Sequence, residues 1–581
     1  MIRELCAYYD RLAADPAAEV PPFGYSLQKI SFIVVLHADG RLHAFQDARQ
    51  SRDNRWVPQI MKVPGQAKSS GSGLNPGFLW DTSQYLLGFK PDDPKPQRTA
   101  EVFAAFRERH LAIEAEIGDP AFSAVCAFLR AWTPAEAAQH AELAEIVGNF
   151  GVFKLVGATE YVHERPLVRA YWEKQISAER EGPVAPSLID GTLQQIARLH
   201  EPWIKEVAGS RTGGAKLVSF DGAAFCSYEK SQGGNAPLGE RDAFKYCTAL
   251  NCLTTNRRRR VDLGSVTVVF WTERPTDWES AFSFVLDAPQ IEDPQTISSI
   301  HGFFERLRRL APGTYLEDSE VPFYVLGLSG NGPRLAVRFW LPGTVGSFAE
   351  RLKQHFDDLE IGYAPPDAPP LTLRRILNET AREPKEVLPP LGGAVSRAVL
   401  AGGPYPVTLL SAVLHRIGAD GRLNYARAAI LKAFLVRAAR LSGQKEDVSM
   451  TLDTTNPSIA YRLGRLFAVL EKVQEEAYDN SLNTTIKDRF FSSASANPVA
   501  VFPRLLRLHA HHLDKLSHPG RKTNIEKLVQ EICSHLPADA GFPAHLPLAD
   551  QGRFFIGYYH QRQDLFTKKT TPENGGQEEI A

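Results

Sequence analysis

Apolar and polar residues alternate in two different ways along this chain, and the change between the two patterns divides it. Up to about residue 360, short apolar runs are separated by glycine-containing turns, which is typical of strands and hairpins. Beyond residue 392, apolar residues recur at helical spacing over long stretches such as 423–441 and 457–478. The sequence therefore predicts an α+β protein, with a β-rich N-terminal and central region containing hairpins, followed by an all-α C-terminal helical bundle.

Two hairpins are predicted from apolar runs that lie on either side of a turn. Residues 29–47 place an Asp-Gly pair between their runs, and Asp-Gly is a strong hairpin signal. Residues 323–340 place the sequence SGNGP between two runs in the same way. The stretch 266–271, VTVVFW, predicts a buried strand, and the apolar residues at 85–88 predict another short strand.

These patterns divide the chain into six segments. Prolines cluster at both ends of residues 361–392, which indicates a boundary there. The tail from Lys568 is polar and is predicted to be disordered. The segments are a β-rich region at 1–100, a helical insertion at 101–214, an α+β core domain at 215–360, a proline-rich linker at 361–392, a helical connector at 393–449 and a C-terminal helical bundle at 450–581.

Composition and charge limit the class of protein. A chain of 581 residues that is 43% hydrophobic predicts a globular protein of several domains, and its net charge of −1 confines any anion site to a local patch. Six scattered cysteines fit a reducing cytoplasm better than a disulfide framework. The sequence has no signal-peptide pattern and no apolar run long enough for a bilayer, so we expect a cytoplasmic protein without a membrane partner.

Two loops and an arginine run carry residue types that suit an anionic partner. Residues 62–77 combine side-chain donors with glycines, and their alternative reading is an ordinary surface loop. Residues 225–253 combine a Gly-Gly-Asn turn with flanking donors and a following helix, and the alternative is a simple tight turn. The arginine run can neutralise phosphates or form a solvated loop. The candidates are Lys62, Lys68, Ser69, Ser70 and Asn75 in the first loop, Lys230, Gln232, Gly233, Gly234 and Asn235 in the second, and Arg257, Arg258, Arg259 and Arg260 in the run.

The sequence contains no recognisable catalytic or metal-binding motif. Cys226, Cys247 and Cys252 lack a C-x-x-C pair and a nearby histidine, so we interpret them as core thiols and not as zinc ligands. A phosphate-binding P-loop, a nucleophile elbow and a zinc-protease motif are also absent from the sequence. The sequence therefore predicts a binding protein that is not an enzyme and that carries no metal or cofactor.

Seven strings along the chain carry a family resemblance. They are PPFGYSLQKISF at 21–32, WDTSQYLLG at 80–88, the stretch 227–253, LGSVTVVFW at 263–271, FYVLGLSGNGPRLAVRFW at 323–340, AYRLGRLFAVLE at 460–471 and TIKDRF at 485–490. On these strings, nearly end to end, the chain resembles the large subunits of the subtype I-C (Dvulg) CRISPR interference complex, Cascade. Ser265 and Gly239 depart from the family pattern, but neither has a proposed catalytic role.

The resemblance implies a non-catalytic subunit that binds the 5′ handle of the CRISPR RNA (crRNA) and double-stranded target DNA. Such subunits recognise a protospacer-adjacent motif (PAM), promote duplex opening and R-loop formation, assemble with backbone and small subunits, and recruit a helicase–nuclease. Guide pairing reads the long sequence, while the protein reads a few base pairs. Residues 62–77 are then predicted to contact the PAM, with Lys68 and Asn75 as the leading contacts. The Gly-Gly-Asn turn and the arginine run are predicted to hold nucleic-acid backbone.

Two other functions remain open, and both belong to different classes. A CRISPR-associated nuclease or RNA-processing enzyme is one alternative, and a purely structural scaffold is the other. The resemblance also implies that a separate small subunit is made by internal translation. Met450 precedes the last helical section, so we predict that translation of this product starts there; the alternative is an ordinary methionine.

Overall fold

The chain forms two compact units. The first comprises Met1–Thr255 and Gly330–Leu335, and the second comprises Asn256–Ser329 and Ala336–Ala581. The predicted α+β class is confirmed, because every strand of the described residues ends by Thr344 and helices follow. The computed structural model describes residues 1–52, 55–68, 73–178, 183–287, 302, 305, 318–365, 368–445, 448–478, 483–536 and 541–567.

A five-stranded sheet forms the centre of the first unit. Strand β1 is the central strand; it pairs antiparallel with β2 and β5 and parallel with β7, which also pairs with β6. Two short ribbons, β3–β4 and β8–β9, complete the strands described in this unit. The bounds are β1 Tyr25–Leu36, β2 Leu42–Asp47, β3 Gln50–Arg52, β4 Arg55–Val57, β5 Gln59–Pro64, β6 Trp80–Thr82, β7 Phe150–Leu155, β8 Val184–Pro186 and β9 Leu193–Gln195.

Helices between residues 83 and 177 of the first unit bury apolar residues in a core with the sheet. This core mixes aliphatic and aromatic residues, and Phe32, Phe106, Phe122 and Phe153 have no exposed surface. The bounds are α1 Ile2–Ala13, α2 Ser83–Leu87, α3 Pro96–Ala112, α4 Glu114–Ile117, α5 Pro120–Ala131, α6 Leu143–Ile146, α7 Pro166–Ser177 and α8 Glu240–Thr255.

The sequence predictions for the first unit succeed at one element and fail in two segments. The hairpin at 29–47 is confirmed as β1–β2, and Gly40 occupies its turn with φ +85°, a conformation that glycine adopts at little cost. The strand predicted at 85–88 is wrong, because these residues belong to helix α2, which Gly88 ends in the left-handed region. The helical prediction for 101–214 misses three strands: β7, which lies inside the sheet, and the short β8 and β9.

A four-stranded sheet and a large set of helices form the second unit. Its strands lie in the chain order β10-β11-β12-β13, and β11 is buried along its whole length, which confirms the buried strand predicted at 266–271. The hairpin predicted at 323–340 is confirmed as β12–β13, although its tip at 330–335 belongs to the first unit. The bounds are β10 Arg260–Leu263, β11 Val266–Thr272, β12 Pro322–Asn331 and β13 Arg334–Thr344.

The C-terminal helices share one continuous apolar core. Helix α19 packs against α15 and also against α13 and α14, so residues on both sides of position 450 contribute to the same core. The tail from Lys568 lies outside the described residues. The bounds are α9 Trp278–Leu286, α10 Val345–Leu359, α11 Leu373–Asn378, α12 Pro389–Ala401, α13 Val407–Asp420, α14 Tyr425–Leu441, α15 Ile459–Ala477, α16 Ile486–Ala496, α17 Pro498–Lys515, α18 Pro519–Ser534 and α19 Leu548–Phe566.

Helices α15 and α19 approach each other so closely that their backbones are in contact. A Cβ atom on Gly464 of α15 would lie 1.9 Å from the carbonyl oxygen of Phe554 in α19. A Cβ atom on Gly557 of α19 would lie 2.1 Å from the carbonyl oxygen of Tyr461 in α15. Each helix therefore presents a glycine to the backbone of the other, and no larger residue fits either position without movement.

A buried ion cluster joins α10 to α14. Asp358 is 1% exposed, and its carboxylate accepts hydrogen bonds from Arg437 Nε at 2.7 Å and from Arg440 Nη1 at 2.6 Å. Lys432 Nζ donates to the Asp358 carbonyl oxygen at 3.1 Å. Buried charges are tolerated when they are paired and hydrogen-bonded, so this cluster adds polar contacts to the apolar packing of α10 on α14.

Candidate functional site

The first predicted loop, between β5 and β6, borders a cavity of about 520 Å³ in the first unit. Gln66, Lys68 and Asn75 of the loop line one part of the cavity. Arg109 of α3 and Arg198, from the segment after β9, also line it. The cavity therefore combines amide and cationic side chains, the groups that proteins use to contact nucleic-acid bases and phosphates. Two carboxylates also line it, those of Glu201 and Glu240.

Lys68 is held within the first unit by three contacts. Its Nζ forms an ion pair with the buried carboxylate of Asp81 and donates to the carbonyl oxygen of Asn75. The same atom lies 3.8 Å from the centre of the Tyr85 ring. Burial lowers the pKa of Lys68 and raises the pKa of Asp81, and the contact between the two charges opposes both shifts. Lys68 thus connects the two ends of its own loop through contacts with Asn75 and Asp81. Its contact with DNA stays a prediction.

The other candidates of this loop differ in position and exposure. Asn75 is exposed at the cavity, and its side-chain amide makes no hydrogen bond to the described residues. Ser69 and Ser70 lie outside the described residues. Lys62 is exposed on β5 and lines a neighbouring cavity of about 480 Å³. The structure therefore brings Lys68 and Asn75 together and places Lys62 at a different cavity.

The Gly-Gly-Asn turn is packed against the segment that carries Arg198. Gln232–Asn235 form one turn of 3-10 helix, and the N–H of Gly233 donates to the Arg198 carbonyl oxygen at 3.0 Å. A Cβ atom on Gly233 would lie 1.9 Å from the carbonyl oxygen of Ala197. The Gln232 Oε1 atom accepts from Arg198 Nη1 at 2.9 Å. The turn therefore fixes an arginine of the cavity, and this links the two predicted loops.

The other candidates of this loop differ in their contacts: one makes hydrogen bonds within the loop, and the others are free of close packing. The Asn235 side chain accepts from the backbone N–H of Ser227 at 2.9 Å. It also donates to the carbonyl oxygens of Lys230 at 2.9 Å and Gln232 at 3.1 Å. Gly234 has room for a side chain, because its Cβ would lie no closer than 3.6 Å to a neighbour. Asn235 shapes the loop, whereas the side chain of Lys230 is exposed.

The arginine run, which lies in the second unit, divides into an exposed half and a paired half. Arg257 and Arg258 are exposed in the turn before β10. Arg259 forms an ion pair with Glu279 at 2.6 Å, and Arg260 pairs at 2.6 Å with an aspartate of its own strand. Contact of all four arginines with the nucleic-acid backbone stays a prediction. Two of them, Arg257 and Arg258, face solvent.

Sequence reasoning missed the two arginines of the cavity. Arg109 is half-buried, its guanidinium donates to the carbonyl oxygen of Pro76, and burial lowers its pKa. Neither Arg109 nor Arg198 belongs to a basic run, so the sequence carries no local signal for them. Gln66 lies inside the predicted loop, and the sequence could have identified it as a candidate binding residue, since its amide can both donate and accept hydrogen bonds.

Metal ligands are not clustered in the part of the chain that the structure describes. No group of three or more His, Cys, Asp or Glu side chains there is arranged to hold a metal ion. The cysteines are free thiols, and burial raises the pKa of Cys247 to about 12, so this thiol is protonated at neutral pH. Within the same residues, no helix combines the length and apolar character needed to cross a bilayer.

Fold and site together define an α+β protein whose candidate site is a cavity in a sheet-based unit, lined by cationic, amide and acidic side chains. Residues 5–566 match the family described as CRISPR-associated protein (Cas_Csd1). The chain therefore belongs to this family, that of the large subunits of the subtype I-C interference complex, and the family predicted from the sequence strings is confirmed. No curated protein matches the chain.

Proposed function

We propose that this chain is the non-catalytic large subunit of an RNA-guided surveillance complex. In this role it binds the crRNA 5′ handle and PAM-containing duplex DNA, promotes R-loop formation and recruits a helicase–nuclease. One observation carries the proposal: the first predicted loop borders a cavity with Asn75, and Gln232 of the second predicted loop accepts a hydrogen bond from Arg198, which lines the same cavity. Family membership supports the same role.

The groups at the cavity suit a division between base and backbone contacts. The amide of Asn75 can donate to and accept from the edge of a base, which is how sequence is read in a DNA groove. The guanidinium of Arg198 suits a phosphate, and phosphate contacts fix the register of the protein on the duplex. Arg257 and Arg258 are assigned to further backbone contacts in the second unit because both are exposed.

Asn75→Ala is expected to lower PAM discrimination in the reconstituted, guide-loaded complex. The ratio of affinities for targets with intact and scrambled PAM-side base pairs should fall about 5- to 150-fold, the loss expected for one base contact. The measurement is equilibrium binding of both targets by complexes that contain the wild-type or variant chain. Asn483→Ala changes an exposed asparagine of the second unit and should leave the ratio unchanged.

The same assay tests the proposal as a whole. PAM-dependent binding should disappear when the chain is omitted from the complex. Equal binding of both targets with and without the chain would reject the proposal, and cleavage assays with divalent cations would then distinguish an enzyme from a scaffold.

Lys68→Ala is a less specific test of PAM contact than Asn75→Ala. It leaves Asp81 buried without its cation and is expected to destabilise the first unit as well.

We further propose that Met450 starts a separate small subunit. Met450 is 45% exposed between α14 and α15, and helices α15 to α19 all follow it. Changing Met450 to leucine in the gene should remove a product of roughly 15 kDa, in proportion to residues 450–581 of the 64.4 kDa chain. Immunoblotting against the C-terminal segment measures this product, and a band that persists would show that translation starts elsewhere.

A further inference from the structure

The loop before α8 carries one aromatic side chain at its tip that is almost entirely in water. Tyr228 is 93% exposed, although a tyrosine side chain buries about 150–250 Å² when it packs. Its backbone is left-handed, with φ +53°, and the next residue, Glu229, has φ +60°. Two successive residues other than glycine in this region are uncommon, and they persist only where the surrounding structure imposes the conformation.

Hydrogen bonds at the base of this loop impose its shape. The N–H of Lys230 donates to the carbonyl oxygen of Ser227 at 3.0 Å, which closes the turn around Tyr228. The Asn235 side chain bonds to both of these residues, and Gly233 is packed against the neighbouring segment. The loop is therefore fixed from below, and it holds the tyrosine ring away from the rest of the first unit.

The segment that carries Tyr228 also carries an exposed lysine and a second aromatic ring, which a cation contacts. Lys230 is exposed two residues further along the loop. Phe225 is 49% exposed, and the guanidinium of Arg334 lies 4.4 Å from the centre of its ring. Two carboxylates belong to the same set of residues, since Arg334 pairs with Asp221 and Glu229 follows Tyr228 in the sequence. Exposed aromatic rings with lysine and arginine beside them are typical of surfaces that bind single-stranded nucleic acid.

We propose that Tyr228 stacks on an unpaired nucleobase of single-stranded nucleic acid and that Lys230 contacts an adjacent phosphate. This inference rests on the proposed function, because a subunit that opens a duplex at a guide RNA meets unpaired bases. The inference goes beyond that function by naming Tyr228 as the residue on which such a base stacks. Stacking suits this position because every base presents a flat face, so the contact needs no particular sequence.

The test compares binding of two strands by the full-length chain. One is a fluorescent single-stranded oligonucleotide of about 12 nucleotides, and the other has the same backbone with abasic sites in place of its bases. Tyr228→Ala should weaken binding of the first strand about 5- to 150-fold in anisotropy titrations, whereas Tyr228→Phe should retain it. Wild type and Tyr228→Ala should bind the abasic strand equally.

Leu193→Ala is the matched control, because it removes another exposed apolar side chain from the same unit without changing a ring. Leu193 is 74% exposed, and the variant should bind both strands like the wild type. Wild-type affinity in Tyr228→Ala would overturn the stacking role and leave the proposed function intact. Equal losses on both strands would also overturn it, since the ring would then act without a base. A wild-type chain that binds neither strand would also overturn the stacking role, whereas the proposed function is rejected only by the assay on the reconstituted complex.

Discussion

Replacing Asp358 with alanine is expected to lower the free energy of unfolding by about 3–5 kcal/mol. The variant would leave Arg437 almost fully buried without the carboxylate that it contacts at 2.7 Å, and Arg440 would lose the same partner. Removing one partner of a buried ion pair is more damaging than removing both, because the remaining charge keeps its desolvation penalty. The loss should appear as a lower denaturant midpoint for the purified chain.

Asp357→Ala is the matched control for this prediction. Asp357 is the adjacent residue in α10 and pairs with Lys353 at 2.7 Å, but both side chains are partly exposed. Exposed pairs at this helical spacing contribute about 0.3–0.5 kcal/mol, so the control should unfold close to the wild-type midpoint. Similar losses in the two variants would mean that the effect belongs to the helix and not to the buried cluster.

Replacing Gly233 with alanine is expected to displace the Gly-Gly-Asn turn from its support. The new Cβ would have to lie 1.9 Å from the carbonyl oxygen of Ala197, so the turn or the segment beneath it must move. Overpacking of this kind costs about 1–3 kcal/mol, and it should also release the Gln232 contact that positions Arg198. Under the proposed function, the reconstituted complex should bind PAM-containing DNA about 5- to 150-fold more weakly.

Gly234→Ala separates this effect from a general intolerance of the loop. The neighbouring glycine has open space, with no atom closer than 3.6 Å to the position that a Cβ would take, so the same methyl group should be accepted. Binding of PAM-containing DNA and the thermal unfolding midpoint of the chain measure both variants. If Gly233→Ala behaves like Gly234→Ala, Arg198 does not depend on the turn.

Local signals in the sequence account for the elements that were predicted correctly. The hairpins β1–β2 and β12–β13 have their turn residues between paired apolar runs, and the C-terminal helices repeat their apolar residues over several turns. The residues at 85–88 are too few to distinguish strand from helix by pattern. Strand β7 was missed because its partner β1 lies more than a hundred residues earlier, so no local pattern reports the pairing.

The candidate site was only partly predictable, for the same physical reason. Composition located the 62–77 loop and the Gly-Gly-Asn turn, since glycines and amides are local features. The ion pair of Lys68 with Asp81 and the contact of Arg198 with Gln232 arise when folding brings separate segments together. Whether a lysine or an amide faces a ligand or its own fold is decided by those tertiary contacts.

The contact between α15 and α19 also has an evolutionary consequence. Gly464 and Gly557 each face a carbonyl oxygen of the opposite helix, so the distance between the helix axes is set by both positions together. A lineage that gains a side chain at one position must separate the helices, and this removes the selection for glycine at the other. The two positions should therefore covary among related sequences. Relatives with substitutions at both positions should have a larger distance between these two helices.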